Sequence, residues 1–167
     1  MYDPNSSSFN QAVAKIKSGD TQAGTGSFVS PNGLLLTDYS SALKGIAQNS
    51  SINKNLIHNG FSAESQAKEI PLENYSLLIT LEQQEVTQQI NSQLADTLTY
   101  RERKKQAGQI KQQLIAERKE DSKNLEVEIN DVWAGNRQFM SVYKVIRDVR
   151  LVHAPSNPNL KKSDNYA

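Results

Sequence analysis

The chain has 167 residues, enough for one ordinary domain and too few for two. Its 19 Lys and Arg face 18 Asp and Glu, so no global charge recruits nucleic acid or anionic lipid. Hydrophobic residues make up only 37%, which implies long exposed helices or a face covered by a partner, and the absence of cysteine excludes disulfides and thiolate metal sites.

Met1 to Asn10 lacks the apolar stretch of a signal peptide or anchor, and no run approaches the roughly 18 apolar residues of a membrane helix. The chain is therefore expected to be soluble as given. Residues 1–8, rich in Ser, Asn and Pro, read as a flexible start. Phe9, Val13 and Ile16 recur at helical spacing and predict a short helix or turn, and Gly19 to Gly26 reads as loop. Ser27 to Ser30 and Leu34 to Thr37 flank Pro31-Asn32-Gly33, a pattern that predicts a β-hairpin because Pro presets φ and Gly supplies φ > 0.

From Asp38 to Ala67 the pattern turns helical. Ile52, Leu56 and Ile57 share a face of a helix predicted at about 50–60, with Asn59-Gly60 as its left-handed cap and Pro71 closing the unit. Ser76 to Leu81 predicts a buried strand. Val86, Ile90, Leu94 and Leu98 step by four and open a helical stretch over about 85–121, in which Asp96-Thr97 offers a cap for a second helix. Between Tyr100 and Ser122 only Ala107, Ile110, Leu114 and Ile115 form an apolar stripe, so this helix is expected to face solvent along most of its surface. Leu125, Val127 and Ile129 alternate with Glu126 and Glu128, Ala134-Gly135-Asn136 turns, and Phe139 to Ile146 runs back, a second hairpin. Val149, Leu151 and His153 then alternate before Ala154-Pro155 and a polar tail over 157–167. The result is one mainly β domain over 9–156, about six strands with two to four helical insertions, in an antiparallel α+β or barrel arrangement.

Candidate chemistry is sparse. His58 falls at the end of its predicted helix, where a cation suits the dipole, and His153 is in phase with apolar neighbours and reads as a packed strand-end residue. Two isolated histidines do not meet the ligand count of a zinc site, so no metal and no cofactor is expected. Gly24, Gly26 and Gly33 lack the following helix and Lys-Ser/Thr pair of a phosphate loop. Arg101, Arg103, Lys104 and Lys105 share their helix with Glu102, Glu117, Glu120 and Asp121, which reads as a solvated face, and Trp133 at a hairpin end reads as core or rim packing. No Ser-His-Asp set can be assembled from spacing.

The stretch Gly26-Ser27-Phe28-Val29-Ser30-Pro31-Asn32-Gly33-Leu34-Leu35-Leu36-Thr37 resembles the strands that lead to the catalytic histidine in chymotrypsin-fold peptidases, especially the dipeptidyl-peptidase 7 and 11 family of bacterial serine peptidases. Asn59-Gly60-Phe61-Ser62-Ala63 is similar to that family's Asp-Gly-Phe-Trp-Ala, Lys68-Glu69-Ile70-Pro71 to its Glu-Glu-Leu-Pro, and Val86-Thr87 to its Val-Thr. The run from Tyr143 to Val152, with Ala154-Pro155, is similar to its Tyr-x-Val-(Tyr/Phe)-x-Asp-Val-Arg-Leu-Val-x-Ala-Pro, and Asp164-Asn165-Tyr166 stands where the family has Asp-Asn-Trp. These pieces keep the family's order across residues 9–167. The resemblance implies half of a chymotrypsin-like double β-barrel and a periplasmic or cell-envelope location.

In the family the residues after the second strand read Asn-His-His-Cys-Gly-Tyr, and the histidine before the cysteine is the general base. Here Thr37-Asp38-Tyr39-Ser40-Ser41 puts Ser40 at that histidine and Ser41 at the cysteine. A serine hydroxyl is not basic enough to take a proton from another serine near neutral pH. The resemblance sets the family's aspartate and nucleophilic serine beyond position 167, so all three triad members are expected to be missing. What it leaves is recognition: Asn165 and Tyr166 match the pair that holds a substrate's free amino terminus, Asn165 keeping its donor and acceptor and Tyr166 a ring that stacks over an ammonium. The expected protein is an inactive, shortened serine-peptidase-like domain acting by binding a peptide or assembling with another subunit. The rival expectation is a fragment of a longer serine dipeptidyl aminopeptidase that contributes one barrel.

Overall fold

A computed structural model describes residues 12–156 except 96, 98 and 120–123. The expected flexible start, Phe9, Asp96, Leu98, Glu120, Asp121, Ser122 and the polar tail with Asp164, Asn165 and Tyr166 lie outside the described residues. In chain order the strands are β1 (Val13–Ser18), β2 (Thr21–Phe28), β3 (Leu35–Thr37), β4 (Phe61–Ser62), β5 (Ile70–Pro71), β6 (Tyr75–Glu85), β7 (Leu125–Val132), β8 (Arg137–Ile146), β9 (Arg150–Leu151) and β10 (His153–Ala154). The helices are α1 (Tyr39–Gln48), α2 (Leu56–Asn59), α3 (Thr87–Asn91) and α4 (Tyr100–Lys119), with a 3-10 turn over Gln66–Lys68. Six strands form one sheet in the order β3-β2-β1-β6-β8-β7, and β10-β4 and β5-β9 form two short ladders. The mainly β character with helical insertions is as the sequence predicts. The sheet ends at β3 and β7 and, among the described residues, does not close into a barrel.

The described residues form two compact units. One is Leu78–Val145 together with the chain up to Val13. Its buried cluster is Val86, Ile90, Ile110, Leu114, Val127, Met140 and Val142, with Leu94, Ala107, Ile115, Leu125 and Ile129 packed around it. Each fully buried member of this set contributes about 1.5–3 kcal/mol relative to exposure. The predicted stripe of the long helix is therefore the face α4 buries, and its flanks are tied down by Lys111 Nζ to Asp131 at 2.6 Å and Arg118 to Glu82 at 2.9 Å. The β7–β8 hairpin pairs antiparallel from Leu125↔Lys144 to Val132↔Arg137. Its turn holds Trp133, Ala134 and Gly135 at φ 51, 56 and 90°.

The helical stretch predicted over 85–121 holds two helices, α3 and α4, and Thr99 caps the second, while Asp96 of the expected cap lies outside the described residues. The Thr99 backbone amide donates to Glu102 Oε2 at 3.0 Å and the Glu102 backbone amide to Thr99 Oγ1 at 3.5 Å, the reciprocal bonds of a capping box, and Thr99 Oγ1 also donates to Glu102 Oε2 at 2.5 Å. Leu81, predicted buried, is exposed, since β6 runs on past the core to Glu85.

The other unit is Ala14–Leu77 together with the chain from Ile146. Val13 and Ile16, predicted in a short helix or turn, lie instead in the strand β1, whose buried residues are Ala14, Ile16 and Ser18, a period of two. The segment read as a glycine loop is the strand β2, which uses glycine where other groups come close: a Cβ at Gly24 would meet Ser41 Oγ at 1.9 Å, and one at Gly26 would meet Leu35 Cδ2 at 2.3 Å. The β2–β3 hairpin forms as predicted, with Gly26↔Thr37 and Phe28↔Leu35 in register.

The helix predicted at 50–60 is displaced. α1 ends at Gln48, and Ser50 Oγ donates to Ile46 O and accepts from Leu56 N, while Ser51 and Lys54 bond each other's backbone. Those local bonds outcompete a helix, and Ile52 is 99% exposed. Only Leu56–Asn59 is helical there. Gly60 ends it at φ 75°, and no side chain fits, because Ala154 O would lie 2.9 Å from a Cβ.

Candidate functional site

The end of β3 places the chemistry. Thr37 Oγ1 donates to Thr25 O at 2.7 Å, which fixes the strand end beside β2. Asp38 follows with φ −73° and ψ 156°, the extended conformation of an N-cap, and starts α1 by accepting from Ser41 N at 3.0 Å. Its carboxylate also accepts from the hydroxyls of both serines singled out by the resemblance: Ser40 Oγ on Oδ1, and Ser41 Oγ on Oδ2 at 2.6 Å. These bonds, with that of Ser40 foremost, favour the ionised form and lower the Asp38 pKa from 3.8 to about 2.

Ser41 is 2% exposed, whereas Ser40 is exposed. Tyr75, buried at the start of β6, fastens the helix from the other side: Gly45 N donates to Tyr75 Oη at 3.1 Å, and that hydroxyl donates to Ser41 O at 3.3 Å. Ser18, Thr21, Ala23, Ser40, Ser41, Lys44 and Tyr75 line a hollow of about 240 Å³. Ser18 Oγ in its wall is buried and has no hydrogen-bond partner.

As chemistry, this is a hydroxyl pair donating to a carboxylate held ionised. A carboxylate with a pKa near 2 is too weak a base to deprotonate a serine at neutral pH. Tyr39, in the same turn, has its pKa raised by burial, which moves it away from any acid–base role there. Neither histidine lines the hollow. His58 is exposed at the end of α2, its Nδ1 3.1 Å from Asn59 Oδ1, in the setting the dipole argument expects.

His153 does not pack as predicted. It is exposed on β10 opposite Ser62, because β10 is only two residues long and Ala154 is the member that turns inward. Trp133, expected in a core or rim, is 63% exposed on the hairpin turn with the Arg137 guanidinium 4.8 Å from its ring. Arg101, Arg103, Lys104 and Lys105 are exposed on α4, a solvated face as read. Gly24 and Gly26 serve strand packing, and Gly33 the hairpin turn at φ 86°. Among the described residues, no group of three or more His, Asp or Glu is placed to hold a metal ion. Asn165 and Tyr166 lie outside the described residues.

The residues that hold the site together are Asp38, Gly24 and Tyr75, and spacing alone does not single them out. An Asp before a helical pattern is a cap signal for Asp38, but its grip on Ser40 and Ser41 needs the turn itself.

The family model for peptidase S46 matches residues 1–158. The chain belongs to the peptidase S46 family. An Asp/Glu-specific dipeptidyl-peptidase of Porphyromonas endodontalis is 31% identical over all of this chain and 24% of its own length. A dipeptidyl-peptidase 7 of Porphyromonas gingivalis is 28% identical over 78% of this chain and 18% of its own. The crystal structure of P. endodontalis DPP11 in complex with substrate superposes with a TM-score of 0.75 at 29% identity, covering 93% of this chain and 23% of that one. Its complex with the dipeptide Arg-Glu gives 0.71 at 32% identity, again over 93% of this chain. The chain thus spans about a quarter of the length of the relatives it matches, and it shares the chymotrypsin-like fold of DPP11 over that span.

Proposed function

We propose that this chain is a catalytically inactive S46-type domain that acts by binding a peptide or by assembling with another subunit. The observation that carries the reading is the bonding of Ser40 and Ser41. Ser40 stands at the position matched to the family's base, and its hydroxyl is committed to an ionised Asp38. Proton transfer to a general base is what gives a serine nucleophile its power, and this position has no group able to take the proton. The cell-envelope location implied by the family resemblance belongs to the same proposal.

A second reading has one observation in its favour: the curated relatives are about four times as long and are named as dipeptidyl-peptidases. In that reading the sequence supplies one barrel of a longer serine dipeptidyl aminopeptidase that releases dipeptides from peptide amino termini. Ser40 at the base position counts against it.

Fluorogenic dipeptide substrates with Asp, Glu or apolar second residues test the inactive reading. Release at the level of the buffer blank is expected. Turnover that disappears in His58→Ala or His153→Ala would overturn the inactive reading. Ser40→His is expected to stay at the blank, because a base without an aligned nucleophile transfers no acyl group.

A further inference from the structure

The sequence holds two Asn-Gly pairs, Asn32-Gly33 and Asn59-Gly60, and the fold treats them oppositely. We propose that Asn32 is a self-modifying site that cyclises onto Gly33 and converts to aspartate and isoaspartate in the folded protein, while Asn59 is protected. The step needs a following residue without a side chain, a backbone amide free to approach the asparagine side chain, and an accessible carboxamide. Hydroxide from solvent removes the Gly33 amide proton, and the nitrogen attacks Asn32 Cγ. The N–Cγ bond forms, the Cγ–Nδ2 bond breaks, and that nitrogen takes a proton from water and leaves as ammonia. One water then opens the succinimide at either carbonyl, giving aspartate or isoaspartate.

Pro31, Asn32, Gly33 and Leu34 are all exposed at the tip of the β2–β3 hairpin. Gly33 N reaches Ser30 O only at 3.4 Å, outside the usual range of an amide bond, and a Cβ at Gly33 would meet nothing. The reacting atoms are therefore free to move. Asn59 is the last residue of α2, where Asn59 N donates to Asn55 O at 2.9 Å and Gly60 N to Leu56 O at 3.0 Å. The would-be nucleophile is in a hydrogen bond, and the Gly60 backbone is pressed against Ala154 O and Ser156 N. Reaction there requires that segment to open first.

Conversion at Asn32 puts a negative charge beside Leu34, and the isoaspartyl product adds a backbone carbon just before β3. That addition works against the register Phe28↔Leu35 and Ser27↔Leu36 that leads the chain to Asp38.

The full chain is incubated in mildly alkaline buffer and followed by peptide mapping with isoaspartate detection. Asn32 should convert about tenfold or more faster than Asn59, with isoaspartate among the products. In denaturant the two rates should converge, since both pairs are then equally free. Equal rates in the folded chain, no isoaspartate at position 32, or a preference for Asn32 that persists in denaturant would each overturn the proposal.

Discussion

Gly24 and Asp38 set the terms at the residue scale. A Cβ at Gly24 would stand 1.9 Å from Ser41 Oγ and 2.9 Å from Ser41 Cβ, and Ser41 cannot turn away without releasing Asp38. Gly24→Ala should cost about 1–3 kcal/mol in denaturant titration. Ser41→Gly in the same chain should recover part of that loss, since the two changes share one contact. Asp38 sets an acid limit. Its folded pKa lies below the ordinary 3.8, so its contribution is complete above that value and is lost as pH falls toward about 2. Asp38→Asn keeps a capping side chain and removes the titration, so its melting temperature should fall less steeply than the parent's across that window. The remaining slope belongs to groups such as Glu102 and Asp148, whose pKa values are also lowered. Ser40 and Ser41 were singled out by the family resemblance of the strand motif before them. Their common acceptor was not, because only the first turn of α1 brings Asp38 Oδ1 and Oδ2 to both.

At the scale of elements, the patterns that proved reliable were those in which one face is buried for its whole length. Ala107, Ile110, Leu114 and Ile115 marked the seam of α4, and Val127 opposite Val142 lies inside the β7–β8 core. The misread elements were those whose local signals compete. β1 carries Ala14 and Ser18 as buried positions, which apolar spacing does not count, and β2 is built through Gly24 and Gly26 because neighbouring groups press on it. Glycine has a different meaning in α4. Gly108 is exposed in mid-helix with nothing within 4 Å of a Cβ, so nothing in the packing requires it. Gly108→Ala should raise stability by about 0.5–1 kcal/mol in chemical denaturation, by restricting the unfolded chain.

For the whole molecule, the notable surface is the sheet end at β3. Leu36 is 67% exposed, Val29 and Leu34 flank it, and β3 has a strand neighbour on one side only among the described residues. An apolar strand edge promotes self-association, so light scattering should rise with concentration for the parent and much less for Leu36→Lys, with its melting temperature unchanged. The sequence by itself determined the mainly β class, the two hairpins and the seam of α4, because each is written in periodicity or turn chemistry. Only the tertiary structure decided that the sheet stays open among the described residues, that Ile52, Trp133 and His153 face solvent, and that Ser40 and Ser41 both bond Asp38. Those outcomes depend on which groups distant in sequence come into contact, as Gly24 does with Ser41 and Gly60 with Ala154, and residue spacing along the chain carries no record of that.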